Sequence, residues 1–222
     1  MNTPRPVILP EPTLRRLPWY LAYVETLRDA REEYVSSTRI SKDLDLDSSC
    51  IAKDLSFLSL KGKTRIGYEV AALEEALTDF LGFHVSHKAY LFGAGSLGSA
   101  LMQDSGLSNY GLDIIGAFDT DSAKGGLTYG GITVRHPDTL REAMRENPAT
   151  IAILAVPSNK AQEVADMAIA AGVRAIWNFT PCRVRVPEGV VMANTSIYAH
   201  LALIFNRLAE MPSAPEEKGG EI

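Results

Sequence analysis

Apolar residues recur at steps of three and four through Leu14, Leu17, Leu21, Val24 and Leu27, the spacing of one helix face. They predict a helix capped by Thr13 and running to about Ala30, with Pro18 marking a late start or a kink. Two shorter periodic stretches follow. "STRISKDL" predicts a helix over 38–44 capped by Ser37, and "DLDSSCIAKDLSFLS" a second one capped near Asp47 or Ser48, with Cys50, Ile51, Leu55 and Leu58 inward. Short helices of which the last two are closely joined predict a helix-turn-helix. "LSLKGKTRIGYEV", with two glycines, predicts a small hairpin, and "EVAALEEALTDFLGF" a connecting helix stopped by Gly82.

From Lys88 onward the pattern changes to apolar runs separated by helical segments. "KAYLFGAG" predicts a strand entering a glycine turn, and "LDIIGAFDTD" a strand ending in acids. "ATIAILAVPS" and "VRAIWNFTP" predict two more, separated by the helix "NKAQEVADMAIAAG". Alternating strand and helix predicts an α/β fold with a mostly parallel, doubly wound sheet covered on both faces. The first dozen residues hold four prolines and predict an extended arm, and the tail "MPSAPEEKGGEI" has the composition of a disordered segment. The expected division is an arm over 1–12, a helix-turn-helix unit with a wing over 13–82 and a sheet unit over 83–196. A last helix over 197–210 and a tail over 211–222 complete it.

Composition narrows the class. The 222 residues are 46% hydrophobic and 22% charged, as in an ordinary globular protein. No apolar run approaches the roughly 20 residues of a membrane span, and the amino terminus lacks the pattern of a secretion signal, so a cytoplasmic location is expected. Net charge is −5, which by itself argues against a nucleic-acid partner. The sign is uneven, however: residues 1–70 carry 11 Lys and Arg against 10 Asp and Glu, leaving the remainder of the chain strongly acidic. Cys50 and Cys182 are far apart, and His84, His87, His136 and His200 fall in no metal-ligand spacing, so no metal site is expected.

"LFGAGSLGSAL" carries the chemistry. Gly93, Gly95 and Gly98 follow an apolar strand and open a helix, the context in which GxGxxG spacing has meaning. The glycines permit the tight turn, the close backbone approach to a pyrophosphate and the close helix–strand packing, at a helix end that favours negative charge. Asp119 lies at the end of the next predicted strand. A carboxylate there accepts from ribose hydroxyls and repels a 2′-phosphate, favouring NAD(H) over NADP(H). Coenzyme A, whose binding domains share the topology, is the alternative ligand. Catalysis is disfavoured: no TyrxxxLys pair occurs in the latter half, His136 and His200 have no evident partner, and Cys182 in "NFTPCRV" is the one conceivable nucleophile.

In order and spacing, "LPWYL", "VSS", "KDLSFL", "GYEV", "FGAGSLG", "AFDTD", "VPSNKAQEVAD", "AGVRAIWNFTP" and "VPEGV" make the chain resemble the Rex family, from about Leu14 to Leu208. Those proteins are bacterial redox-sensing repressors with a winged-helix domain followed by a Rossmann domain. The resemblance implies a homodimer with a carboxy-terminal helix, here Ile197 to about Glu210, swapped onto the partner. It also implies operator DNA as partner, and release from DNA when NADH rises. The nucleotide set becomes Gly93, Ala94, Gly95, Ser96, Leu97, Gly98, Asp119, Val156 and Pro157. The DNA set becomes Ser36, Ser37, Lys53, Ser56, Lys61, Lys63 and Arg65.

Two departures from the family stand out. Ala52 occupies the first place of the family's Arg-Lys-Asp triplet, followed here by Lys53 and Asp54, and alanine cannot make the paired hydrogen bonds by which arginine reads guanine. The family's switch is a set of alternative contacts among an arginine, a tyrosine and an aspartate, and Ala22, Asp104 and Ser196 stand at those three places. Joint loss removes the interaction without stranding a buried charge, and it predicts a response to NADH that is rewired or weakened. A regulator that binds NAD(H) with altered or lost DNA response, and a small NAD-dependent oxidoreductase, are the alternative readings.

Overall fold

The computed structural model describes residues 9–211, which fall into two compact units, one ending at Val85 and the next beginning at Ser86. The first contains α1 (Glu11–Asp29), β1 (Tyr34–Val35), α2 (Ser37–Leu44), α3 (Ser48–Leu55), β2 (Tyr68–Glu69) and α4 (Val70–Leu81). β1 and β2 pair antiparallel, with Tyr34 opposite Glu69. Leu17, Tyr20, Leu21 and Val24 of α1 pack with Ile40, Ile51, Leu55, Leu73 and Leu77 in one core.

Several local expectations need correction here. Helix α1 starts at Glu11 rather than after Thr13, because Pro12 falls in the first turn, where a missing N–H costs no bond. Thr13 is buried inside the helix and donates its hydroxyl to Asp54 Oδ1 at 2.9 Å. The helix runs through Pro18. The carbonyl that Pro18 cannot bond is that of Leu14, which is 43% exposed and not part of the packed face, so water can serve it. Ser36 rather than Ser37 caps α2, its hydroxyl accepting from Arg39 N at 3.1 Å. Asp47 caps α3. Cys50 is exposed, since Ile51, Asp54 and Leu55 take all the inward positions of that eight-residue helix. Gly82 closes α4 at φ 74°, as expected.

The second unit contains β3 (His87–Phe92), α5 (Ser96–Gln103), α6 (Gly106–Asn109), β4 (Leu112–Phe118), β5 (Thr128–Tyr129) and β6 (Ile132–Arg135). It continues through α7 (Leu140–Glu146), β7 (Ile151–Leu154), α8 (Ala161–Ala170), β8 (Ala175–Asn178), β9 (Val191–Asn194) and α9 (Ile197–Glu210). The seven strands lie in the order β5-β6-β4-β3-β7-β8-β9, parallel throughout except for the β5–β6 hairpin. Alternation along β3 fills both faces. Ala89 and Leu91 pack with Met102, Ala117 and Val134, while Tyr90 and Phe92 pack with Phe118, Leu140, Ala161 and Ala165. A parallel sheet covered on both sides is the α/β arrangement that the apolar runs predicted.

β4 and β7 flank β3 on opposite sides, so the chain order reverses there and opens a crevice at the carboxyl ends of these three strands. Helix α9, fourteen residues long, buries none of its side chains. Residues 1–8 and 212–222, most of the expected arm and tail, lie outside the described residues. Among the described residues no helix is long and apolar enough to cross a membrane, and no cluster of three metal-ligating side chains occurs.

Candidate nucleotide pocket and nucleic-acid face

The crevice holds a cavity of about 590 Å³ lined by Gly93, Gly95, Asp119, Lys124, His136, Val156 and Pro157 among others, a volume in the range of small-molecule sites. The three glycines of the turn have separate reasons, and Gly98 does not line the cavity. Gly93 adopts φ 97°, and a Cβ there would come within 2.5 Å of Ala155 O; a Cβ on Gly98 would meet Gly93 O at 1.9 Å. Around Gly95 there is open space, and no side chain caps the first turn of α5 that it begins. The free N–H groups of that turn suit an anion. Ala94 is buried, Leu97 is half-buried and Ser96 is exposed at the first position of α5.

Asp119 already has three donors within the chain. Its Oδ2 accepts from Ala94 N at 2.8 Å and from Lys124 Nζ at 2.9 Å, and Oδ1 accepts from Asp121 N at 2.9 Å. The carboxylate thus ties the glycine turn to the end of β4. Burial pushes its pKa up, but these bonds outweigh that and hold it below the usual value, so the group is ionised at neutral pH. Lys124 was not anticipated, although a lysine five residues after the strand-end acid is visible in "DTDSAK". It partly neutralises Asp119 and so softens the charge that a 2′-phosphate would meet.

Of the three residues considered for catalysis, Cys182, His136 and His200, His136 alone lines the cavity. Cys182 Sγ lies 3.1 Å from Thr180 Oγ1 and 3.4 Å from Ser158 O, outside the residues lining the cavity. His136 lines it and, contrary to expectation, has a partner: Nδ1 is 3.0 Å from Asp138 Oδ2, with both side chains open to solvent. His200 Nδ1 lies 2.9 Å from Ser196 O, in the first turn of α9.

In the first unit, α3 turns Ile51, Asp54 and Leu55 inward and leaves Ala52, Lys53 and Ser56 exposed, with the Ser56 hydroxyl donating to Lys53 O. Asp54 is the anchor. It is 1% exposed and accepts from Arg16 Nε at 2.7 Å, Tyr20 Oη at 2.8 Å and Thr13 Oγ1, all on α1. Burial raises the Asp54 pKa, yet the hydrogen bonds from Arg16, Tyr20 and Thr13 prevail and keep it below the ordinary carboxylate value. The orientation of α3 on the core therefore depends on one buried acid. Lys61, Lys63 and Arg65 are all exposed on the loop after α3, which a Lys63–Gly67 bridge closes into a hairpin. Arg65 sits there at φ 65°, a conformation that costs a non-glycine residue about 1 kcal/mol or more.

Of the three positions that the resemblance singles out, Asp104 and Ser196 carry local tasks. Ala22 is exposed on α1, Asp104 Oδ1 accepts from Gly106 N at 2.7 Å, and Ser196 Oγ caps α9 by accepting from Ala199 N at 3.2 Å. Each polar group is thereby satisfied within a few residues of itself.

Comparison with known proteins covers both units. The profile of a family described as a DNA-binding protein N-terminus matches residues 8–56, and that of a family described as CoA binding domain matches residues 84–182. The chain is 55% identical over 200 residues to the redox-sensing transcriptional repressor Rex of Bacteroides fragilis, covering 90% of this chain and 91% of that protein. It is 52% identical to that of Porphyromonas gingivalis, over 92% and 94% of the two chains. Among solved structures, RSP in complex with β-NAD+ and operator DNA aligns with a TM-score of 0.87 at 31% identity, over 92% of this chain and 94% of that one. RSP in complex with β-NADH aligns with a TM-score of 0.82.

Proposed function

Because the chain belongs to the Rex family of redox-sensing transcriptional repressors, we propose that it binds operator DNA through its first unit and loses that DNA when NADH occupies its second. The observation that carries this reading is the pairing, in one chain, of a helix-turn-helix with wing and a strand–glycine turn–helix crevice closed by Asp119. Neither part alone specifies a sensor. Gly93 through Gly98, with Val156 and Pro157, form the pyrophosphate and nicotinamide side, and Asp119 forms the ribose side. Ser36, Ser37, Lys53, Ser56, Lys61, Lys63 and Arg65 form the DNA side.

The protein acts as a homodimer, with α9 of each protomer covered by the other. Support comes from the exposed apolar residues of that helix, among them Ile197, Tyr198, Ile204, Phe205 and Leu208, each more than half exposed in the isolated chain. It has no catalytic step of its own and needs no metal, and it works in the cytoplasm. The curated relatives are regulators, and Cys182 is not among the residues lining the cavity that His136 lines.

The test is selection of bound fragments from sheared DNA of the source organism, without nucleotide, with NAD+ and with NADH, at fixed salt because phosphate contacts make affinity salt-dependent. A palindromic sequence enriched without NADH and depleted with it is expected. Enrichment indifferent to nucleotide would leave a DNA-binding protein without redox sensing, and no enrichment would remove the DNA role. Coenzyme A, named by the family matched over residues 84–182, serves as the competing ligand in calorimetry. Heat with coenzyme A and none with NADH would overturn the nucleotide assignment.

A further inference from the structure

Lys63 has a partner that the reading of the chain did not supply. Its Nζ donates to Tyr34 Oη at 2.5 Å and lies 4.6 Å from the centre of the same ring. Glu33 and Glu69, beside and opposite Tyr34 on the strand pair, add their potential at this ammonium. The hydrogen-bond acceptor is nonetheless the neutral phenol, so the lysine charge stays uncancelled by direct contact.

The scaffold holds the two residues at this distance. Lys63 and Gly67 exchange backbone hydrogen bonds, N to O at 2.7 and 2.9 Å. Gly67 adopts φ 111°, and a Cβ there would come within 2.3 Å of the carbonyl oxygen of Val35, the residue after Tyr34. The base of the wing is thus pressed onto β1 at a point where only glycine fits. The backbones that carry the wing lysine and the strand tyrosine cannot separate without opening that contact.

The donor inventory then defines the ligand. The Lys63–Tyr34 bond uses one ammonium hydrogen and one lone pair of the phenol, leaving the phenol's own O–H and the other ammonium hydrogens as donors. A base edge presents donors and acceptors together, whereas a backbone phosphate presents only acceptors and a negative charge. We propose that Tyr34 and Lys63 form a single clamp for one phosphate of the DNA backbone. Tyr34 contributes its O–H and also positions the wing lysine. The proposal rests on the reading of the first unit as DNA-binding, and it adds a contact outside both the recognition helix and the wing.

The experiment is fluorescence anisotropy of the full-length protein with two labelled duplexes of equal length, one carrying the selected operator and one unrelated, across a salt series. Tyr34→Phe, Lys63→Met and the double variant are compared, each checked by thermal melting. Tyr34→Phe keeps the ring and should weaken binding about five-fold on both duplexes, the scale of one hydrogen bond. Lys63→Met should weaken it further and lower the slope of log affinity against log salt by about one. The double variant should bind more weakly than Lys63→Met, but by less than the loss Tyr34→Phe causes in the wild type, because part of the tyrosine's effect runs through the lysine. Wild-type affinity in Tyr34→Phe, losses that multiply in the double variant, or a loss confined to the operator would each overturn the clamp. Should Tyr34→Phe melt early, the salt slope of Lys63→Met decides alone, and an unchanged slope overturns it. If the wild-type protein holds neither duplex, the DNA-binding reading fails first and the clamp with it.

Discussion

At the scale of the residue, Asp54 and Asp119 share a device: a carboxylate at the end of an element, buried in the first case and half-buried in the second, satisfied by several donors at once. Asp54→Ala leaves Arg16 without its partner, and because that guanidinium is 22% exposed the loss falls below that of a fully buried pair. About 2–3 kcal/mol is expected, read as a lower midpoint in urea. The same bonds give a pH dependence with a definite sign. The folded Asp54 pKa lies below the unfolded one, so its contribution is full above the ordinary carboxylate range and is lost as pH falls through the depressed value. Wild-type stability should therefore drop with acid below about pH 4, and the drop should be smaller in Asp54→Ala. Asp119→Ala should weaken NADH binding by about 10- to 100-fold, the scale of losing charged hydrogen bonds, while calorimetry still shows a cooperative melt. The roles of these acids were unequally legible. Asp119 follows an apolar strand after a glycine turn, a pattern with a known chemical reason, whereas nothing in "AKDLSFL" tells that the aspartate faces inward toward an arginine some forty residues earlier.

At the scale of the element, strong periodicity was readable and weak periodicity was not. The helices α1, α3 and α4 and the strands β3, β4, β7 and β8 lie where apolar runs predict them, because each has a core face long enough to show a pattern, whereas α2 buries only Ile40 and was legible from its capping serines. The short strands β5, β6 and β9 passed unnoticed. For the first two a signal existed: Gly130 and Gly131, both at positive φ, form the two-residue turn between Tyr129 and Ile132, the dipeptide that primed hairpin turns favour. β9 is an edge strand of four residues, mostly exposed, and carries no such mark. Helix α9 was readable as amphipathic, yet no sequence pattern tells whether its apolar side covers its own sheet or another chain. In the isolated chain it covers nothing, Phe205 being 63% exposed. Phe205→Glu should convert the dimer to monomer in sedimentation velocity and lower operator affinity, while Cys182→Ser should change neither. Dimers undiminished by Phe205→Glu would contradict the role given to this helix.

At the scale of the molecule, two ordinary modules are joined into a switch. NADH can move the protein off DNA only by as much as its affinity differs between the DNA-bound and free arrangements, and equal affinity for both shifts nothing. Ala22, Asp104 and Ser196, which the resemblance sets at the places of an ionic trio, include no cation, and two of them are engaged in local backbone hydrogen bonds. The differential contacts must come from other residues, so restoring one member, as in Ala22→Arg, should leave the nucleotide response unchanged. The most direct measurement is operator affinity at a fixed total nucleotide concentration as the ratio of NADH to NAD+ is raised. The account predicts a fall in affinity that saturates with NADH and is absent in Asp119→Ala. Affinity independent of that ratio, with NADH shown to be bound, would contradict it.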